Sequence, residues 1–185
     1  MKKTVLTFGL ISGVVSSVLM LSTVPFMDRI GFDKGAIVGY TAMVLSFLLV
    51  FFGIRSYREN VGDGQISFGR ALSVGILITL ISCLCYVVTW QIVYFNLMPD
   101  FFEKYTSYIV EQVRASGASQ QIIDAKIQEM KSFKALYDKP LFNAAFTFLE
   151  PLPVGLIITL ISATILRRPK PKNGEQPVGE PLPSS

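Results

Sequence analysis

The sequence predicts an all-α membrane protein with four transmembrane helices and an extracytoplasmic amphipathic helical hairpin between the third and the fourth. Three observations predict it. Long apolar runs, each about the length needed to cross a hydrocarbon core of roughly 30 Å, are separated by charged punctuation. The 185 residues are 51% hydrophobic with a mean hydropathy of +0.50, as expected of a chain covered mainly by lipid. Lys and Arg gather at alternate ends of the runs, which sets an orientation.

The spans fall at about 4–27, 35–54, 71–98 and 141–166 within a membrane domain of residues 1–168. The first is charge-free from Thr4 to Met27 behind Lys2 and Lys3. It is expected to be a retained anchor, because it exceeds a signal-peptide core of roughly 7–15 residues and no Ala-x-Ala-like cleavage site follows. The second and third carry no charge. The fourth is less regular, with Glu150, Pro151 and Pro153 inside it.

With alternating spans, Lys2, Lys3, Arg55, Arg58, Arg70, Arg167, Arg168, Lys170 and Lys172 share one side, which should be the cytoplasm. Both termini are then expected inside. The short first connection, where Arg29 and Lys34 balance Asp28 and Asp33, faces outward, as does the long connection of residues 99–140. Trp90, Tyr94 and Phe95 suit an aromatic interfacial belt at the outer end of the third span.

Between Arg55 and Arg70, Gly62-Asp63-Gly64 can supply the positive φ of a tight reversal, and Ser67 can cap the third helix. In the outer connection, Phe101, Phe102, Tyr105, Ile109 and Val113 form one amphipathic stripe, stopped by Gly117. Ser119 offers an N-cap to a second stripe of Ile123, Ile127, Met130 and Tyr137, with Phe133 at its edge. These stripes are expected to pack on each other or on the bilayer surface. The Pro-rich segment 169–185 lacks a core-forming pattern and is expected to be a disordered cytoplasmic tail.

Function classes narrow from composition. The absence of His removes the commonest neutral-pH base and transition-metal ligand, so no cofactor or metal is expected. The net charge of +4 reflects span-end cations, which argues against nucleic acid as a partner. Cys83 and Cys85 are two apart, point to nearly opposite helix faces and cannot pair.

Small residues recur at four-residue spacing: Gly9, Gly13 and Ser17; Gly35 and Gly39; Ala71, Gly75 and Thr79; Gly155, Thr159 and Ala163. Such stripes let helix backbones approach closely in lipid and predict a compact bundle. Gly75 to Ser82 resembles Gly155 to Ser162, a likeness attributed to Ile/Leu-rich composition because the two spans run in opposite directions.

Glu150 is the most unusual residue, since an ionised carboxylate at a helix centre costs at least about 2.5–3.5 kcal/mol on insertion scales. It lies about nine residues, or roughly 13 Å of rise, into the fourth span. Pro151 and Pro153 remove donors beside it, so a local break is expected there. Tyr86, Gln91 and Tyr94 of the third span are its candidate donors.

Gly39-Tyr40-x-x-Met43, Phe52-Gly53-Ile54-Arg55-Ser56-Tyr57-Arg58, Gly64-Gln65-Ile66-Ser67-Phe68-Gly69-Arg70-Ala71 and Glu150-Pro151-Leu152-Pro153-Val154-Gly155-Leu156 carry a family likeness. The chain resembles domain-of-unknown-function family 4199, small bacterial four-span membrane proteins, over nearly all of residues 1–168. The Glu-Pro-x-Pro-x-Gly segment is its most specific part. The resemblance implies a four-span fold and a bacterial membrane location, and it brings no activity, substrate or cofactor; the expected location is the bacterial inner membrane. The expected role is that of a non-enzymatic protein acting through assembly, as a homo-oligomer or in a membrane protein complex, with lipid as its constant partner. The alternative is an oligomeric channel or transporter subunit that uses Glu150 at a proline-broken helix.

Overall fold

The computed structural model describes residues 1–168, and its described elements are helical throughout. The tail expected over 169–185 lies outside the described residues. The order is α1 (Lys2–Thr23), a 3₁₀ turn (Val24–Phe26), α2 (Met27–Val61), α3 (Phe68–Ile92) running into a π turn (Val93–Leu97), α4 (Phe101–Ala115), α5 (Gln120–Tyr137), α6 (Pro140–Leu149) and α7 (Pro151–Leu166).

Three helical stretches are long and apolar enough to cross a membrane: Lys2–Val61, Phe68–Leu97 and Pro140–Leu166. The first would be roughly 90 Å long if straight, yet it doubles back. The Ser12 hydroxyl donates to the Ser46 carbonyl, 34 residues away, at 2.9 Å. The short connection expected over residues 28–34 lies in two helical segments that meet at Gly31. The chain reverses through the 3₁₀ turn that contains Pro25 and through Gly31, whose φ of 76° and ψ of 166° suit a residue without Cβ.

Contacts fix the directions of the four long segments. Gly9 faces Ile81, Gly13 faces Cys85 and the Ser17 hydroxyl meets Thr89, each pair 72 residues apart, so α1 and α3 run parallel. Gly75 faces Thr159 and Gly155 faces Thr79, so α3 and α7 run antiparallel. Phe47 packs on Gly155 and Arg58 donates to the Leu166 carbonyl at 3.4 Å, both 108 residues apart, so α2 and α7 are parallel. Met43, Phe47, Val50 and Ile54 of α2 meet Ala71, Val74 and Ile78 of α3 and Ala163 and Leu166 of α7 in the core.

At one end of the bundle Asp63 (φ 49°) and Gly64 (φ 78°) make the expected reversal, and Ser67 accepts the Arg70 N–H at 3.4 Å. Ile66 and Arg168 exchange backbone hydrogen bonds of 2.9 and 2.8 Å, tying the end of α7 to this turn. At the other end α4 and α5 form the hairpin, reversed at Gly117 with φ 78°. Ser119 occupies the N-cap position of α5, but its side chain makes no capping bond. Phe102, Met130, Tyr137 and the buried Tyr94 of the bundle form one apolar cluster, so the apolar stripes cover each other and the bundle end.

Candidate functional site

The polar groups concentrate where α3 meets α6. On α6, Asn143, Thr147 and Glu150 stand at spacings of four and three, which places them on one helical face. Asn143 and Thr147 are buried, whereas Glu150 is exposed at the flank of the bundle. Tyr86 donates to Glu150 Oε2 at 3.2 Å, as one of the three expected donors. The other two are engaged elsewhere. Gln91 Nε2 donates to Asn143 Oδ1 at 2.8 Å and to the Pro140 carbonyl at 3.2 Å. Tyr94 donates to Asp138 Oδ1 at 2.6 Å, and Lys134 holds the other carboxylate oxygen of Asp138 at 2.8 Å.

The expected break at Glu150 is a milder interruption. Glu150 keeps helical angles of φ −69° and ψ −57°, and its N–H reaches the Thr147 carbonyl, which Pro151 cannot serve, at 3.3 Å. Pro151 and Pro153 fall in the first turn of α7, where backbone donors have no intrahelical partner in any case. Partners change across the interruption: α7 packs against α3 and α2, whereas α6 packs against α3 and α5.

Sequence reasoning missed Asn143, which is wholly buried with its Nδ2 unpartnered among the described residues. A single Asn in an apolar run has no periodic signature. Trp90 and Tyr94, expected as lipid-facing belt residues, point inward instead. Trp90 Nε1 donates to the Tyr137 hydroxyl at 2.9 Å and stacks edge-on with Phe101 at 5.1 Å, and Tyr94 is buried. Phe95 remains exposed.

Of the glycines expected in helix packing, Gly9, Gly13, Gly75 and Gly155 sit where an added Cβ would collide with a neighbouring helix; at Gly75 it would lie 2.5 Å from Thr159 Cγ2. Gly39 has no heavy atom of another group within 4 Å of such a Cβ, and Gly35 meets only Met27 across the reversal. Those two are therefore not helix-packing residues within the chain. Spacing reveals a small stripe but not whether a helix faces it. Gly53, overlooked because it stands alone, closes on Ile78 and Phe8.

Hydroxyls accompany the glycines. Ser12 pairs with Ser82 at 2.9 Å, Ser17 with Thr89 at 2.7 Å and Thr79 with Thr159 at 3.1 Å. Cys83 is buried and Cys85 half-buried, both free thiols. Among the described residues no group of three His, Cys, Asp or Glu is placed to hold a metal, and no Lys or Arg forms an ion pair with Glu150.

The fold defines a class: an all-helical chain of long apolar helices, compatible with a membrane-embedded protein. Within that class the chain belongs to the family described as Protein of unknown function (DUF4199), whose model matches residues 7–168. No curated protein and no solved structure matches it.

Proposed function

We propose that this is a non-enzymatic integral membrane protein that crosses the bilayer four times, with both termini cytoplasmic and the α4–α5 hairpin outside, and that it acts by assembling with itself or with a partner. The closed helix seam carries the reading. Thr159 fills the space over Gly75, Ile81 the space over Gly9 and Cys85 the space over Gly13, so the core of one chain is packed side chain rather than passage. A protein built this way works through its surfaces. The bacterial inner membrane is the location that the span-end cations and the family likeness favour.

A second reading rests on Glu150. Because this carboxylate lies on the flank, a channel or transporter role would place the polar path between copies, not within one. Native mass spectrometry of the full chain in a mild detergent tests both. A stoichiometric second protein or a defined homo-oligomer is expected. A strictly monomeric protein without a co-purifying partner would contradict assembly and the oligomeric path alike.

A further inference from the structure

The face of α2 that forms the core loses its cover in the outer half of the bundle. Met43, Phe47, Val50 and Ile54 are buried along one stripe, and helical spacing continues that stripe to Gly39 and Tyr40. There it is bare: Gly39 has open space before it and Tyr40 is 50% exposed. The 108-residue offset between α2 and α7 sets Met43 level with Pro151 and Tyr40 level with Phe148. The stripe therefore goes bare at the level where the chain passes from α7, which packs on α2, to α6, which packs on α3 and α5. At that level Leu149 and Glu150 are exposed, and Tyr86 donates to Glu150.

We propose that the bare stripe at Gly39 and Tyr40 and the exposed Leu149 and Glu150 border one lateral notch beside Tyr86, and that this notch seats the primary ammonium headgroup of a membrane aminophospholipid, with Glu150 as its counter-charge. Tyr86 occupies Glu150 Oε2, while Oε1 has no hydrogen-bond partner among the described residues and is free to accept an ammonium N–H. Among the described residues no Lys or Arg lies in ion-pair range of Glu150, and the cation assigned to it is the lipid's own. Trp90, which the docked hairpin covers, lies four residues beyond Tyr86 on α3, so Glu150 sits roughly 6 Å, about one helical turn, from the hairpin end of the bundle. A headgroup reaches that depth while its acyl chains follow the exposed Leu149 side. An ethanolamine-type head donates N–H bonds to the carboxylate; a choline head has none to donate.

The site rests on the membrane reading. Full-length protein purified in mild detergent is titrated with phosphatidylethanolamine and phosphatidylcholine of matched chains, and bound lipid is counted by native mass spectrometry. Wild type is expected to hold the ethanolamine lipid roughly tenfold more tightly, and Glu150→Gln to bring the ratio near one. Gly39→Trp, which fills the notch from α2 without touching the carboxylate, is expected to do the same and decides the matter if Glu150→Gln does not fold. Equal retention of both lipids by wild type, or a preference that survives Gly39→Trp, would overturn the site. So would a lipid-independent dimer without lipid preference, since a second copy would then occupy the notch. A chain that stays in the supernatant of a detergent-free lysate would overturn the membrane reading itself, whereas a membrane-bound chain indifferent to headgroup would overturn the site alone.

Discussion

Gly75 and Gly155 solve the same packing problem for each other. Gly75 lies under Thr159 and Gly155 under Thr79, while the two threonine hydroxyls pair at 3.1 Å. The likeness of Gly75–Ser82 to Gly155–Ser162 thus has a physical reason beyond composition: an antiparallel contact places the glycine of each segment against the threonine of the other. Opposite direction, taken as an argument against meaning in the repeat, is the condition that makes the contact reciprocal. Gly75→Leu forces a side chain into Thr159 and should lower stability in detergent by about 1–3 kcal/mol, read as a fall in thermal midpoint. Gly39→Leu should change it by no more than about 0.5 kcal/mol, because that position is open. Equal losses in the two variants would contradict the assigned contacts. A double-mutant cycle of Thr79→Val and Thr159→Val should give a coupling near the average of about 0.6 kcal/mol for hydrogen bonds between membrane helices. A coupling of zero would mean that the hydroxyls do not meet.

At the scale of elements, the hairpin is held by aromatic packing with a polar latch beside it. Phe32 of the α1–α2 reversal meets Tyr105 of α4 at 5.4 Å, and Tyr94 meets Tyr137 at 5.1 Å. Lys104 bridges Asp28 at 2.8 Å and Asp100 at 3.0 Å. Its hydrogen bonds with Asp28 and Asp100 hold Lys104 above the ordinary lysine value of 10.5, and Lys104 holds Asp100 below the ordinary carboxylate value of 3.8. The Lys104 contribution is therefore complete below 10.5 and lost as pH rises through its raised value. The Asp100 contribution is complete above 3.8 and lost as pH falls through its lowered value. Lys104→Met should accelerate amide exchange at the start of α4 by a factor that stays constant between those two limits and disappears in strong acid. A factor that changed near neutral pH would assign the latch to other groups. All these side chains are well exposed, so the effect should also shrink in high salt.

The elements were more legible than their partners. Apolar run length gives α1, α2, α3 and α7, and periodic stripes give α4 and α5, because burial of one face leaves its spacing in the sequence. The destination of a side chain leaves no such trace. Gln91 was assigned to Glu150 by proximity in span order, yet the buried Asn143 amide claims it. Tyr94 likewise finds Asp138, a residue of the α5 end whose position depends on how the hairpin folds down. Pro151 announced an interruption, but its place in the first turn of α7 determined how mild that interruption is.

For the whole molecule, the proposed four crossings would put the hairpin and the α2–α3 turn on opposite sides of a bilayer. The structure places them at opposite ends of the bundle: the turn beside the end of α7, the hairpin on the ends of α3 and α6. Burial of the seam by small residues makes the four long segments one packing unit, so they must take up their sides together. The measurement that tests this most directly is labelling of single cysteines in intact cells with a membrane-impermeant maleimide, after Cys83 and Cys85 are replaced by Ser. Ser116→Cys at the hairpin tip and Asn60→Cys at the inner turn are both exposed positions. The cysteine at 116 is expected to react in intact cells, and the one at 60 only after permeabilisation. Reaction of both from the same side would contradict the four-crossing bundle.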